Sequence, residues 1–371
     1  MSEYQSYEFV ALDRPLTSKQ MAELRAISTR AEITPTRFWN EYEWGDLKAD
    51  PADLVERFFD AHLHFANWGT HRLMLRVPAA RVDRKGLRAY FVGDAARARV
   101  AGEHLILDLR SEDEDRDDDG ESQGSLTTLA ALRTELTRGD LRVAYLAWLL
   151  ALQMGDAAEK DVEPPAPPGL SQLTAAQAAM VEFLRIDVDL IAAAAHGIAR
   201  PSGERSAVRK WALALAPGVK DEWLRRAIDD PDLALGAEIL RAFRAKARPA
   251  QANGRRTVGE LLALAEGYRE KRERAQADRA AKAKSVADVA RKKRLDVLAK
   301  RVEAAWAELE ALVEKSDYEK AIKLATDLRD LGSRDGASVP FTARFEAMRK
   351  RHLRRRGFFD RWRRENEPQR S

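Results

Sequence analysis

The longest helical pattern in the chain covers residues 258–314 and constrains the fold more than any other feature. Thr257 precedes Glu260 by three residues, which is a capping box, in which each side chain binds the other residue's backbone N–H. No proline follows before Pro340, and the good helix formers Ala, Glu, Lys, Arg and Leu dominate the stretch. The pattern predicts a long basic helix over residues 257–315, followed by a helical hairpin and a basic tail over residues 316–371.

The second half of this predicted helix carries apolar residues at alternating spacings of three and four, which is the repeat of a coiled coil. We expect this seam to pack against another helix, either of a partner protein or of a second copy of the chain. Its residues are Leu295, Leu298, Val302, Ala305, Leu309 and Leu312.

Positive charge is concentrated in the C-terminal third. Residues 255–301 contain fifteen Lys and Arg against seven Asp and Glu, and residues 344–371 contain eleven against four, whereas the whole chain has a net charge of +4. Such sorting favours a directed electrostatic partner, and the alternative is pairing with the protein's own acidic surface. The clusters are Arg291, Lys292, Lys293 and Arg294 on the long helix, and Arg349, Lys350, Arg351, Arg354, Arg355 and Arg356 near the C-terminus.

Residues 1–110 alternate strand and helix patterns, which indicates an α+β domain. Strand patterns cover residues 4–12, 38–44, 73–77, 97–100 and 104–109. One helix is expected after Thr17 and a second after Asp50, where capping signals occur. The second helix is expected to bury four residues at helical spacing, namely Leu54, Phe58, Ala61 and Phe65. We predict a ferredoxin-like fold or a related open-faced sandwich.

The segments between these two regions divide by composition. Residues 111–124 are predicted to form an acidic loop, residues 125–161 helices that pack on the N-terminal domain, and the proline-rich residues 162–170 a linker. Residues 171–247 are predicted to form a helical domain, and residues 248–256 a second linker. The acidic loop partly matches a calcium loop, but Leu126 occupies the position of the closing Glu, so a solvated loop is expected.

The chain contains no cysteine, which excludes disulfides, thiolate nucleophiles and Cys-ligated metal sites. Its start lacks an apolar signal core, and its longest apolar run, residues 143–152, is about half of the ~20 residues that a membrane helix needs. We therefore expect a cytoplasmic protein of two or three domains without a membrane span. No Gly-rich phosphate loop or nucleophile elbow is present, so neither a cofactor nor a catalytic residue is predicted.

Several polar residues of the N-terminal domain are of types that can bind metal ions. His62 and His64 are two residues apart on a predicted helix and would therefore face opposite ways, so no metal site is expected there. Asp46, Asp50 and Asp53 lie near a predicted helix start, where capping and the helix dipole explain carboxylates without any chemistry.

Aromatic residues are dense between residues 38 and 68, and packing of a small core accounts for most of them. Trp39 and Trp68 are the candidates for a surface that stacks on a base or a peptide.

The C-terminal helices carry a pattern that resembles the tails following the zinc finger in some uncharacterised bacterial SWIM-type proteins. The residues that carry it are Trp306-x-x-Leu309, Tyr318-x-x-Ala321, Asp327-Leu328-Arg329-Asp330-Leu331 and Arg351-His352. The finger itself needs Cys ligands, which this chain lacks, so neither metal nor finger function is implied.

The N-terminal region resembles a bacterial family of unknown function, which implies no activity. The residues that carry this second resemblance are Glu32-Ile33-Thr34-Pro35-Thr36 and Tyr42-Glu43-Trp44-Gly45-Asp46.

The function that this sequence predicts is that of a non-enzymatic interaction protein, whose basic helical C-terminal arm binds a protein partner or a second copy. The first alternative is a regulator that binds the phosphate backbone of nucleic acid through the basic clusters. The second alternative is an enzyme with its site between Trp39 and His71, which no sequence motif supports.

Overall fold

The computed structural model describes residues 3–113, 125–197, 204–229, 235–246, 256–334 and 338–366. The chain divides into two compact units, Met1–Lys271 and Arg272–Ser371, which we call the N-terminal unit and the C-terminal unit. Most of the predicted acidic loop and nearly all of the second predicted linker lie outside the described residues.

The N-terminal unit is built on an open sheet of seven antiparallel strands in the order β2-β3-β1-β4-β5-β7-β6. This sheet, followed by a mainly helical region with a long helix, confirms the predicted α+β class. The strands are β1 (Gln5–Val10), β2 (Glu32–Thr34), β3 (Arg37–Tyr42), β4 (Ala61–Ala66), β5 (Thr70–Pro78), β6 (Ala96–Ala101) and β7 (His104–Glu112).

Strand β4 replaces the second half of a predicted helix. The helix after Asp50 ends at Arg57, and Ala61–Ala66 is a strand between β1 and β5. The prediction that Ala61 and Phe65 lie on this helix is therefore wrong. Their spacing fits a helix, but on a central strand both backbone edges form ladders and both faces are buried, which outweighs local pattern.

Two hydrophobic cores lie on opposite faces of the sheet. On β5, Leu73 and Leu75 belong to one core and Met74 to the other, because successive side chains of a strand face opposite sides. Helices α1 (Ser18–Ile27) and α2 (Pro51–Arg57) pack in the second core. The first core contains α4 (Leu126–Leu129), α5 (Ala131–Thr137), α6 (Arg142–Gln153), α7 (Ala175–Phe183) and α8 (Val188–Ala195), after the short α3 (Arg84–Leu87).

The apolar run of the sequence is helix α6, every residue of which from Val143 to Leu152 is buried. This agrees with the prediction of a buried helix. In the described parts of the chain, no helix has the length and apolarity needed to span a membrane.

The predicted proline-rich linker lies inside the N-terminal unit instead of between domains. Val162 pairs with Thr257 in an isolated bridge, and the buried Glu163 accepts hydrogen bonds from Tyr145 (2.5 Å) and Arg256 (2.7 Å). Helices α9 (Glu204–Leu213), α10 (Pro217–Asp229) and α11 (Leu235–Lys246) belong to the same unit. The proline-rich segment thus packs within the N-terminal unit. Composition alone does not distinguish such a segment from a free linker.

The long C-terminal helix begins at the predicted cap but ends earlier than predicted. Thr257 and Glu260 form the capping box with hydrogen bonds of 2.7 and 3.2 Å. Helix α12 is Val258–Ala299, and a turn at Lys300 and Arg301 separates it from α13 (Val302–Glu314). One continuous helix over residues 258–314 is therefore wrong. The break allows α13 to pair with the next helix as a hairpin. Neither proline nor glycine marks it in the sequence.

The C-terminal unit is a bundle around its own core. After α13 come α14 (Tyr318–Arg334), α15 (Ser338–Arg351) and α16 (Arg356–Asn366). Its core includes Trp306, Leu328, Met348 and Phe358.

Candidate interaction site

Two of the four cations in the cluster on α12 are engaged by the chain itself. Arg291 forms an ion pair with Asp330 (2.5 Å), and Arg294 forms one with Asp327 (2.7 Å), both on α14. Lys292 and Lys293 have no ion-pair partner among the described residues. The cluster is therefore split between one side that faces α14 and another that faces solvent.

The C-terminal cluster is divided in the same way. Arg351 pairs with Glu310 (2.5 Å), Arg349 with Glu346 (3.3 Å), and Arg355 donates to Ser316 (3.0 Å) and to the Glu314 carbonyl (2.6 Å). Within the part of the chain that the structure describes, Lys350, Arg354 and Arg356 have no such partner. The alternative stated from the sequence, pairing with the protein's own carboxylates, thus accounts for four of the ten clustered cations, and Arg355 is held by a hydroxyl and a backbone carbonyl instead.

A further ion pair joins α13 to α15. Arg344 donates to both oxygens of Glu303 (2.6 and 2.7 Å) and lies 4.9 Å from the ring of Trp306. The hydrogen bond from Arg344 lowers the pKa of Glu303. Exposed pairs of this kind add little stability, so they orient the helices of the bundle more than they hold it together.

The predicted apolar seam is buried within the same chain. Leu295, Leu298 and Leu309 are buried, and Val302 and Leu312 are partly buried against the same core, which α14, α15 and α16 complete. The seam therefore packs against helices of the same chain, whereas the sequence predicts a partner or a second copy there. It is not available to a partner while the bundle is folded.

The middle of α12 is exposed on every side. Each residue from 272 to 294, which we call the basic segment, is exposed, and the segment holds nine Lys and Arg against three Asp and Glu. A helical segment that is polar on every side is not stabilised by packing of an apolar face against its own fold. The basic segment is thus the largest exposed part of the predicted arm, although Arg291 and Arg294 within it pair with α14.

One face of the basic segment combines charge with apolar groups. At about 100° per residue, Arg279, Lys282 and Lys293 fall within an arc of about 60°. Val286 and Val289, which are 71% and 53% exposed, lie in the same stripe. The residues at 279, 282, 286, 289 and 293 follow the spacing three, four, three, four of a coiled-coil seam. We call these five residues the α12 stripe.

The α12 stripe faces away from the rest of the bundle. Leu295 and Leu298 face the core, and Arg291 and Arg294 pair with α14, so these four residues mark the packed side of the helix. Lys293 lies roughly opposite to their mean direction on the helical wheel. A partner could therefore contact the stripe without displacing any helix of the C-terminal unit.

The two tryptophans selected from the sequence are not brought together. Trp39 is half-buried on β3, opposite Glu8, with the Arg37 guanidinium 5.7 Å from its ring. Trp68 lies in the loop after β4 and is 40% exposed, and the most exposed indole is Trp44, at 73%. The sequence reasoning missed Trp44 because it read this residue as the end of a strand.

The histidine geometry differs from the prediction. On strand β4, His62 and His64 face the same side, stacked on Phe9 (4.0 Å) and Tyr7 (4.2 Å) respectively. Burial lowers the pKa of His62 well below its ordinary value and that of His64 to about 4. The reason given against a shared metal, opposite faces of a helix, is therefore wrong. Among the described residues, no group of three or more His, Cys, Asp or Glu is placed to hold a metal ion.

The three aspartates near α2 have structural contacts. Asp50 caps α2 by accepting from the Ala52 N–H (2.8 Å), and Asp53 lies in its first turn. Asp46 accepts from the Tyr7 hydroxyl (2.6 Å) and from the Leu47 N–H (2.7 Å). The capping interpretation accounts for the first two, whereas the role of Asp46 in fixing the loop was not foreseen.

A buried charge network was not foreseen either. Asp60 is fully buried and accepts from the Leu12 and Asp13 N–H groups (2.6 and 2.8 Å) and from Arg76 (2.8 Å), with Arg133 at 3.5 Å. Burial alone would raise the pKa of Asp60, but these hydrogen bonds and the Arg133 charge lower it. The network satisfies every charge that it buries, so its role is structural.

Arg76 and Arg133 also line a cavity of about 1080 Å³, together with His104 and Glu238. The guanidinium groups of both arginines are held by Asp60. An enzyme site in the N-terminal unit stays a prediction.

Comparison of the chain with protein-family models, curated proteins and solved structures finds no match. The two resemblances described from the sequence therefore stay predictions.

Proposed function

We propose that this protein is a non-enzymatic interaction protein whose α12 stripe docks an acidic amphipathic helix of a partner protein. The proposal keeps the predicted class of function but moves the contact surface from the apolar seam to the exposed middle of α12.

The observation that carries the proposal is the pair of exposed valines within a strongly basic face. Val286 and Val289 are largely exposed on a stretch of helix in which every residue is exposed. Two apolar residues at heptad spacing are the anchor that helix-in-groove recognition uses. Arg279, Lys282 and Lys293 surround them, so the matching partner face carries Asp or Glu around an apolar strip.

Charge across the whole chain agrees with an acidic partner. The C-terminal unit has 27 Lys and Arg against 17 Asp and Glu, a net of +10, whereas the N-terminal unit has 37 against 43, a net of −6. Like-charged surfaces repel, so a basic partner is disfavoured at the basic segment.

The test uses a designed peptide with Leu at heptad positions a and d and Glu at e and g, which mutual repulsion keeps monomeric. Its binding to the full chain is measured by fluorescence anisotropy. Replacing both Val286 and Val289 by Ala should weaken binding roughly ten- to hundredfold, because the apolar contact is lost while helix propensity rises. Replacing Lys282 and Lys293 by Glu should abolish it.

Two control variants separate local from general effects. Lys323→Glu changes the charge of an exposed lysine on α14, and Val188→Ala removes a comparably exposed valine from α8. Both should bind the peptide like the wild type. Absence of binding at low salt, or equal loss in the control variants, would contradict the proposal.

A second candidate, binding of nucleic acid, is favoured by the cations without an internal partner. Among the described residues Lys292, Lys293, Lys350, Arg354 and Arg356 form no ion pair. Such cations can neutralise phosphates and release counterions, which makes affinity depend steeply on salt.

A labelled DNA duplex tests this candidate. If Lys350, Arg354 and Arg356 each contact a phosphate, their joint replacement by Ala should reduce the slope of log K against log salt by about 2.7. Lys323→Ala is the matched control and should leave the slope unchanged. No binding of the duplex at low salt would exclude the candidate.

A further inference from the structure

Two indole rings of the N-terminal unit are exposed at one end of the sheet. Trp44 is 73% exposed and Trp68 is 40% exposed. Tryptophan is highly buried on average, because its large apolar ring gains most from leaving water. Packing of the core therefore does not explain why two indoles of one unit are exposed.

Strand register brings these two tryptophans to opposite sides of the same strand. Gln5, the first residue of β1, pairs with Tyr42 of β3 on one side and with Ala66 of β4 on the other. Trp44 and Trp68 each follow two residues later in the chain. Neighbouring strands are about 4.8 Å apart, so the two loops lie about 10 Å from each other across β1.

Both loops are fixed by hydrogen bonds. In the first, the Gly45 carbonyl accepts from the Gln5 side chain (2.8 Å), and Asp46 accepts from the Tyr7 hydroxyl (2.6 Å). In the second, the Asn67 N–H donates to the Tyr4 carbonyl (2.9 Å). The backbone positions that carry the indoles are therefore fixed before any ligand arrives, which reduces the entropy lost on binding.

The surroundings of the two indoles are acidic. Exposed carboxylates lie on the same strand ends and loops, namely Glu3, Glu41, Glu43, Asp46 and Glu112. The basic residues nearby include Lys48, Arg110, which is paired with Glu112, and Arg30, whose guanidinium lies 5.9 Å from the ring of Tyr42. We call the two tryptophans and these five carboxylates the tryptophan edge. An anionic ligand such as nucleic acid is repelled there, whereas a cation is attracted both by the carboxylates and by the faces of the rings.

We propose that the tryptophan edge binds an arginine-rich segment of a partner protein, whose guanidinium groups stack on Trp44 and Trp68 while Glu41 and Glu43 accept their hydrogen bonds. Arginine fits better than lysine, because its planar, weakly hydrated head stacks on aromatic rings and forks onto carboxylates. This site is independent of the α12 stripe, and its ligand has the opposite charge.

The experiment titrates the full chain with a fluorescent peptide of alternating Arg and Gly and follows anisotropy. A peptide with citrulline in place of Arg keeps the shape without the charge and should not bind. Trp44→Ala and Trp68→Ala should each weaken binding about two- to fivefold, and the double variant by about the product. Glu43→Gln should weaken it further, with an affinity that falls as salt rises.

Glu103→Gln is the matched charge control, because Glu103 is also exposed but lies in the turn between β6 and β7, at the other end of β7 from Glu112. It should bind like the wild type, as should Trp39→Phe. Unchanged binding in the double tryptophan variant, or equal loss in Glu103→Gln, would overturn the proposal. Light scattering that finds a wild-type dimer and a monomeric double variant would also overturn it, in favour of a second copy as occupant.

Discussion

The substitution Leu309→Ala tests directly whether the apolar seam packs within the chain rather than against another molecule. Leu309 is completely buried in the core of the C-terminal unit. Removing its outer carbons forfeits their transfer free energy and leaves a cavity, which together cost about 2 to 5 kcal/mol. With a urea m-value of roughly 1.5 kcal/mol per molar, the unfolding midpoint of this unit should fall by about 1 to 3 M.

The assay for this variant must resolve the two units, which need not unfold together. Peptide-resolved hydrogen exchange in increasing urea gives the midpoint of residues 295–334 separately from that of the N-terminal unit. Val297→Ala is the control, because Val297 is 61% exposed on α12 in the same unit and its truncation should cost less than about 0.5 kcal/mol.

An intermolecular seam would give a different result. The wild type would then be an oligomer whose midpoint rises with protein concentration, and Leu309→Ala would lower its mass. An intramolecular seam predicts a midpoint independent of concentration and an unchanged mass. A midpoint unaffected by the substitution would refute the burial of Leu309 itself.

Two further predictions concern the N-terminal unit. Asp60→Ala should destabilise it by about 3 to 5 kcal/mol in urea unfolding, because Arg76 and Arg133 would be left buried without their shared carboxylate; a cost below 1 kcal/mol would contradict the network. His64 should make its stability fall as pH decreases from about 6.5 to about 4, because the lowered folded pKa means that the unfolded state binds the proton first. The part of this loss due to His64 should approach roughly 3 kcal/mol and should disappear in His64→Gln, whereas the part due to His62, whose pKa is also lowered, should remain; equal pH dependence in both proteins would contradict it.

Local signals in the sequence were sufficient for the helix starts. Thr17 and Thr257 form capping boxes, and Asp50 caps α2, because each needs only residues within three positions. The α+β class followed from the same kind of local pattern.

Tertiary contacts decided the features that the sequence did not reveal. Ala61–Ala66 became a strand because β1 and β5 pair with its two edges: β5 follows after a short turn, but β1 is distant in sequence. The break at Lys300 and Arg301 has no local marker and depends on how α13 pairs with α14.

The candidate site was only partly accessible from the sequence for the same reason. Charge clusters can be counted in a sequence, but whether Arg291 meets Asp330 is decided by folding. The heptad spacing of residues 279–293 is present in the sequence. The contact surface was nevertheless predicted at the leucine seam that follows, because its apolar repeat is stronger. The exposure of Val286 and Val289 is what distinguishes the two stripes.

Hydrogen exchange of residues 272–294, with and without the acidic helical peptide, tests the docking of the α12 stripe most directly. We predict that these amides exchange faster in the free protein than those of the buried helices, since every residue of the segment is exposed, and that they slow on binding in the wild type but not in the variant with Ala at both Val286 and Val289. Slowing that spares this segment, or that persists in the variant, would contradict the assignment of the stripe as the contact surface.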